Sequence, residues 1–246
     1  MEKTGTACLF LEGVFRFGPF IGNREEYILS YKTLDSGIAG IYKKLIAMEA
    51  EVESQVELAV RSLLERDIDL AEEVKSRDEI VDGYMRNIEA EAVRIIATLQ
   101  PVASELRILF TTVKVVTDLE RAGDHAVGIA RISTNLGAEE MFFLRDEIRS
   151  MKDTCVRMMR EGLDSFVRLD SEMAYEVTKL DDIIDDNYVA SVRKLYAHLQ
   201  QEPQFARTAA QLNFAMKYLE RIGDHMTNVC EWTVNIKTGE HVELNL

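Results

Sequence analysis

A seven-residue stretch occurs twice in this chain of 246 residues. Residues 119–125 read Leu-Glu-Arg-Ala-Gly-Asp-His, and residues 219–225 repeat them with isoleucine in place of alanine. Each copy holds a glutamate and an aspartate four residues apart, namely Glu120 with Asp124 and Glu220 with Asp224. On a helix, four residues turn the chain by about 400°, so the two carboxylates of each pair lie on one face. Like charges at this spacing weaken a helix by roughly a few tenths of a kcal/mol, and a cation between them would remove that repulsion.

The apolar residues of the first half recur at intervals of three and four, which predicts long amphipathic helices. Asp69 and Glu72 resemble an N-terminal capping box, Pro101 suits the first turn of a helix, and Gly137 supplies a C-terminal stop. The predicted helices span residues 36–66, 69–99 and 101–136, and the third carries the first copy of the repeated stretch.

The second half repeats this plan, with Asp170 as a helix cap and Pro203 in the place that Pro101 occupies in the first half. Its predicted helices span residues 139–168, 170–199 and 203–239. We therefore predict an all-α fold of six long helices, arranged as two tandem three-helix bundles related by internal duplication. The predicted units are an irregular N-terminal extension (1–30), a first repeat (31–138) and a second repeat (139–246). An extended coiled coil is the competing structure, and turns at roughly thirty-residue intervals argue against it.

The middle helix of each half carries a second acidic pair. Residues 74–82 (VKSRDEIVD) align with residues 177–185 (VTKLDDIID), so the pairs Asp78 with Asp82 and Asp181 with Asp185 correspond. In an antiparallel helix pair, these aspartates could face the acids of the repeated stretch and bring four carboxylates together. Repulsion among the four charges would cost on the order of several kcal/mol unless a cation neutralised it. A solvated charged face is the alternative explanation for any one of these pairs.

Oxygen ligands of this kind favour Mg, Mn, Ca or ferric iron over the metals that Cys and His hold. His125 and His225 point about 100° away from the adjacent aspartates, so we expect them to contact an outer shell or a partner. Asn228 follows Asp224 by four residues and could add a neutral oxygen ligand, whereas the first half has Gly128 there. The two sites are therefore expected to differ.

Composition excludes several classes of function. The net charge of −14 argues against sequence-independent nucleic-acid binding and against simple attachment to anionic lipid. Three scattered cysteines suggest neither a disulfide framework nor a zinc knuckle, and they indicate a reducing cytoplasm. Residues 7–20 are partly apolar, but Glu12 and Arg16 interrupt them, and no apolar run reaches the length of a membrane span.

The chain resembles the PhoU family, the accessory proteins of phosphate transport systems. The resemblance rests on the duplicated three-helix layout, on QPVASELR at 100–107, on both repeated stretches and on the middle-helix aspartates. It implies a regulator rather than an enzyme, which couples the ATPase subunit of the phosphate ABC transporter to a sensor histidine kinase and represses the phosphate-starvation response. It also implies a cytoplasmic protein that reaches the membrane only through these partners. A homodimer is left open.

The resemblance further implies metal clusters, of iron or zinc in some members, while magnesium or manganese stays open. By motif position the metal ligands are two sets, Asp78, Asp82, Glu120 and Asp124 in the first repeat, and Asp181, Asp185, Glu220, Asp224 and Asn228 in the second. Gly128 stands where the family often has asparagine. One other hypothesis is a metalloenzyme that activates water on a carboxylate cluster. Another is a purely structural helical scaffold, or an accessory regulator of a low-affinity phosphate or potassium transporter.

Overall fold

The computed structural model describes residues 24–136, 144–239 and 243–244, with side chains from Lys32 onward. Within these ranges the chain forms α-helices and no strand, as the sequence predicts. The helices are α1 (Arg24–Glu65), α2 (Ile68–Leu99), α3 (Ala103–Asn135), α4 (Arg145–Arg168), α5 (Ser171–Thr178), α6 (Asp181–Gln201) and α7 (Ala206–Thr238). A short 3-10 turn, Pro203–Phe205, precedes α7. None of the helices in these ranges combines the length and the apolar character that a membrane crossing requires.

The fifth predicted helix is divided in two. Asp170 caps α5 as expected, because its side chain accepts hydrogen bonds from the amides of Glu172 and Met173. Residues Lys179 and Leu180 then separate α5 from α6. Here the amide of Leu180 donates to the carbonyl oxygen of Val177, three residues back instead of the four of an α-helix. The break makes Asp181 the first residue of α6, where the helix dipole favours a negative charge.

Several helix ends differ from their predicted positions. Residues 24–30, predicted to be irregular, form the first turns of α1. Residues 1–23 and the predicted boundary between the repeats, at residues 138 and 139, lie outside the described residues. Asp67 rather than Asp69 caps α2, since its Oδ1 accepts from the amides of Asp69 and Leu70 at 3.0 and 3.1 Å. Pro101 precedes α3 instead of opening it. Propensity alone could not separate these neighbouring choices.

In the first repeat, α1, α2 and α3 pack against one another. In the second repeat, α4, the α5–α6 pair and α7 do the same. Two further pairings join the repeats, α3 with α7 and α1 with α4, of which the first is the more extensive. One continuous apolar core runs through all of them. The outer helices α2 and α5–α6 lie on either side of this inner set, and they carry the middle-helix aspartates.

The equivalent helices α3 and α7 run antiparallel. The guanidinium of Arg107 near the start of α3 donates to the carbonyl oxygen of Ile236 near the end of α7, at 2.9 Å. Midway along the pair, the rings of His125 and His225 lie 5.5 Å apart. Equivalent residues that touch each other mark a local two-fold relation between the two repeats.

Candidate functional site

The first acidic cluster consists of Asp78 and Asp82 on α2 with Glu120 and Asp124 on α3. Burial raises the pKa of the Asp78 carboxyl, and the carboxylates of Asp124 and Asp82 raise it further. Burial also raises the pKa of Glu120, and the charge of Asp124 adds to the effect. The structure therefore brings all four predicted residues of the first repeat onto one surface, where their negative charges act on one another.

Arginine side chains compensate this first cluster only weakly. Arg121 lies 3.6 Å from Glu120 and 3.6 Å from Asp124. Arg86 lies 3.5 Å from Asp82, and the Arg131 charge lowers the pKa of Asp78. Ion pairs at such distances on an exposed surface contribute about 0–1 kcal/mol each, so they offset the negative charge of the cluster only in part.

The second acidic cluster consists of Asp185 on α6 with Glu220 and Asp224 on α7. Burial raises the pKa of Asp185 and of Asp224, and in both cases the Glu220 charge is the next cause. Lys217 supplies an internal cation, because its ammonium group pairs with Glu220 and lies over the Tyr188 ring. The other oxygen of Glu220, Oε2, is buried and meets no hydrogen-bond partner in the described part of the chain.

Asp181 does not share the exposed surface of this second cluster. Its side chain is 3% exposed, and its Oδ1 lies 2.6 Å from the position that a Cβ at Gly223 would take. Glycine at position 223 leaves room for a close approach, and the approaching group is this carboxylate. Burial raises the pKa of the thiols of Cys155 and Cys230, and the charge of the nearby Asp181 adds to this in both cases.

Asn228 takes part in a different group of residues from the one predicted. Its amide donates to Oδ1 of Asp118 on α3 at 3.1 Å, and the same oxygen lies 3.0 Å from Nδ1 of His225. The indole of Trp232 donates to Asp118 Oδ2 at 3.1 Å. Asp118 is only 9% exposed, so this network lies inside the contact between the repeats. The sequence signal was available, since Asp118 is an acid at a core-facing position of α3 between Val115 and Leu119.

The two motif histidines also lie in the contact between α3 and α7, rather than beside the acidic clusters. The His125 ring stacks on His225 and, at 5.4 Å, on Tyr218. The pKa of His125 is lowered to about 4, mainly by burial and also by the charges of His225, Arg221 and Arg121. His125 is therefore neutral near pH 7, and its ring serves as a packing element.

The clusters offer the oxygen ligands that a metal ion needs, but their side chains are not arranged as a preformed metal site. Half-buried carboxylates with raised pKa values and the unpartnered Oε2 of Glu220 would all gain from a cation. However, across residues 32–136 and 144–239 no three Asp, Glu, His or Cys side chains converge closely enough to hold an ion. Binding would require the carboxylates to rotate toward one another.

These features define a class, an all-α protein of two three-helix repeats that are joined through equivalent helices and that each present an acidic cluster. The family model described as the PhoU domain matches residues 45–133 and again residues 148–233. The chain belongs to the PhoU family.

Similar proteins of known name cover most of the chain. A Clostridium acetobutylicum protein, named phosphate-specific transport system accessory protein PhoU homolog, is 38% identical over 218 residues, which are 88% of this chain and 100% of that protein. A Pseudomonas putida protein of the same name is 39% identical over 200 residues, 80% of this chain and 78% of that protein.

Solved structures agree in fold. The crystal structure of PhoU from Pseudomonas aeruginosa superposes with a TM-score of 0.79 at 34% identity and covers 84% of this chain and 99% of that one. A PhoU structure from Streptococcus pneumoniae has a TM-score of 0.80 over 85% of this chain and 99% of that one, and its 24% identity shows the shared fold alone.

Proposed function

We propose that this protein is an accessory regulator of phosphate uptake that keeps the phosphate-starvation response repressed when phosphate is plentiful. The observation that carries the proposal is the 38% identity to a phosphate-specific transport system accessory protein over all of that protein's length. In this role it is a cytoplasmic adaptor between the ATPase subunit of a phosphate ABC transporter and the cytoplasmic part of a sensor histidine kinase.

The geometry of the acidic clusters supports an adaptor. Both clusters lie on open faces of paired helices, where Asp124 and Asp185 are exposed. An exposed acidic surface with incomplete internal compensation attracts basic groups of another protein and orients it during encounter. We infer that these two surfaces contact partners and that their charge decides how strongly.

We further propose that cations modulate these surfaces. In the first repeat Asp78, Asp82, Glu120 and Asp124 would hold the ion, and in the second Asp185, Glu220 and Asp224 would hold it. Oxygen ligands suit magnesium, manganese or ferric iron, and zinc is the further candidate. A bound cation would neutralise carboxylates from two helices at once, which would tie α2 to α3 and α6 to α7. Elemental analysis of the purified protein tests this, with Glu220→Gln as the variant expected to lose metal from the second repeat.

Deletion of the gene tests the regulatory role. In phosphate-rich medium, deletion is expected to raise a phosphate-starvation reporter, and the wild-type gene is expected to restore repression. A gene carrying Asp124→Asn and Asp224→Asn should restore it only in part, because each acidic surface loses one negative charge. Glu176→Gln, which removes an exposed acid of α5 that pairs with Lys179, is the matched control and should restore repression fully. Unchanged reporter expression on deletion would contradict the proposal.

A further inference from the structure

A cleft opens between α1 and α4, at the second contact between the repeats. The two helices run antiparallel, with the Arg145 guanidinium donating to the carbonyl oxygen of Leu64 at one end and Arg160 bound to Glu53 further along. Beyond this ion pair lies a cavity of about 220 Å³. Its lining consists of Ile46, Glu49, Arg160, Leu163, Asp164 and Val167. We refer to it as the Glu49 cleft.

Glu49 is the charged group of this cleft that lacks an ion pair within the described ranges. Arg160 is engaged with Glu53 through two nitrogens, Nε at 2.6 Å and Nη2. Asp164 is paired with Arg168 at 2.8 Å. The remaining carboxylate, Glu49, is 7% exposed, and its Oε1 is buried with no hydrogen-bond partner among the described residues.

The surroundings of Glu49 disfavour its charge. The pKa of Glu49 is raised to about 7, mainly by burial and also by the Glu53 carboxylate, while the Arg160 guanidinium acts in the opposite direction. A buried carboxylate without a partner is costly unless it is protonated or meets a donor from outside. An incoming cation would therefore gain both an ion pair and a hydrogen bond at this place.

The walls of the cleft define the rest of the occupant. Leu163 is buried, Val167 is half-buried, and Ile46 is 48% exposed although it lies beside a buried acid. A volume of about 220 Å³ is below the roughly 300–1,000 Å³ of pockets that enclose small-molecule ligands, so it suits a single side chain. Lysine combines an apolar stem with a compact ammonium head, and both parts match what the cleft offers.

We propose that the Glu49 cleft receives a lysine side chain of a partner protein, with the ammonium group on Glu49 and the methylene stem against Ile46, Leu163 and Val167. The site lies between α1 and α4, apart from both acidic clusters. The proposal rests on the adaptor role for the identity of the partner, the transporter ATPase or the kinase, but the chemistry of the cleft can be measured on this protein alone.

The first experiment titrates the full chain with n-butylammonium, which reproduces the lysine stem and head, and with n-butanol, its uncharged counterpart. Methyl NMR at pH 8 follows Ile46, Leu163 and Val167. We expect saturable shifts with n-butylammonium at concentrations about tenfold lower than with n-butanol, which corresponds to about 1.4 kcal/mol. In Glu49→Gln this difference should disappear, whereas Glu65→Gln, an exposed acid at the end of α1, should retain it. Equal responses to both probes, or the same response in Glu49→Gln, would overturn the proposal.

The second experiment identifies the partner's lysine. Carbodiimide activates a carboxylate as an O-acylisourea, and an amine then displaces a urea from it to form an amide. Because no spacer atoms are added, the two groups must come into direct contact. With the purified ATPase subunit or the cytoplasmic part of the kinase, mass spectrometry should find Glu49 joined to a partner lysine, and Glu49→Gln should lack this product. A complex that forms without any Glu49 adduct would overturn the proposal and leave the regulatory role standing. If deletion of the gene leaves the reporter unchanged, the regulatory role fails instead, and the NMR titration still decides whether the cleft binds an amine.

Discussion

The contact between α3 and α7 has two sides that correspond by the internal duplication, and the repeats fill them differently. On one side Asp118 of α3 accepts hydrogen bonds from Asn228 and Trp232 of α7. On the other side the equivalent of Asp118 is Tyr218, which packs its ring against Gly128, the equivalent of Asn228. A Cβ at Gly128 would come within 2.8 Å of that ring.

This difference shows that the two copies have changed in matched pairs. An acid at position 118 requires donors opposite it, and an aromatic ring at position 218 requires an empty space opposite it. The glycine in the first copy is therefore explained by packing against Tyr218, and the asparagine in the second by a buried acid. Four predictions test how far this comparison between the repeats extends, from the largest expected effect to the smallest.

Removal of the buried acid should have the largest effect. Asp118→Ala leaves the indole of Trp232 and the amide of Asn228 without their acceptor inside the contact between the repeats. We expect a loss of about 3 kcal/mol in the free energy of unfolding, measured by urea denaturation. The matched change on the other side, Tyr218→Phe, keeps the ring and should cost about 0.5 kcal/mol or less. Equal losses on both sides would show that the polar network contributes nothing of its own.

A methyl group at the repeated glycines should distinguish the two copies. At Gly223 it would meet Asp181 Oδ1 at 2.6 Å and Ile184 at 2.8 Å, whereas at Gly123 its nearest neighbours lie at 3.5 Å. We therefore expect Gly223→Ala to cost about 2 kcal/mol in unfolding free energy, and Gly123→Ala to be close to neutral. Gly83→Ala, in α2 with open space around it, should stabilise the protein by about 0.5–1 kcal/mol and calibrates the helix propensity.

The comparison extends to the α1–α4 contact, where Glu49 of the first repeat corresponds to Lys152, which is half-buried, in the second. The pKa of Glu49 is raised from the ordinary 4.5 to about 7 in the folded protein, so the native state binds the proton more tightly than the unfolded chain does. Its contribution is therefore fully favourable below about pH 4.5 and is lost as the pH rises to about 7. Glu49→Gln should be more stable than the wild type by about 1–2 kcal/mol at pH 8.

Urea denaturation of both proteins at pH 5 and pH 8 measures this effect. The advantage of Glu49→Gln should shrink at pH 5, where Glu49 of the native wild type is protonated. An advantage that is equal at both pH values would show that Glu49 is not the titrating group.

The smallest effect is expected at Gly128. Gly128→Ala gains helix propensity but places its methyl group against the Tyr218 ring, so we expect a net loss of about 1 kcal/mol. In a Tyr218→Ser background the space is open, and the same change should stabilise. A double-mutant cycle measures this change of sign directly. Additive effects would mean that the glycine and the tyrosine are independent.

Sequence alone could predict the features that depend on local pattern. Helical periodicity and the internal repeat predict the all-α, duplicated architecture. The four-residue spacing of Asp78 and Asp82 predicts that both lie on one face of α2. The break at Lys179–Leu180 could not be predicted, because no glycine or proline marks it in the sequence. Asp181, the next residue, packs tightly against α7, and this tertiary contact is not visible in a local pattern. The hydrogen bond of Asn228 could not be predicted, because its position was considered on one helix alone, whereas its partner Asp118 lies 110 residues away on another. Its role as a metal ligand stays a prediction.

The contact of His125 with His225 has a consequence for the origin of the chain. If a single three-helix unit had once assembled as a symmetric pair through this helix, one gene would have supplied both sides of the axis, and every substitution would have occurred twice. A buried acid and its amide partner would then have occurred on both sides of the axis at the same time. Fusion into one polypeptide removes that constraint, because each side is encoded separately and can acquire its own complementary pair while the shared axis is preserved.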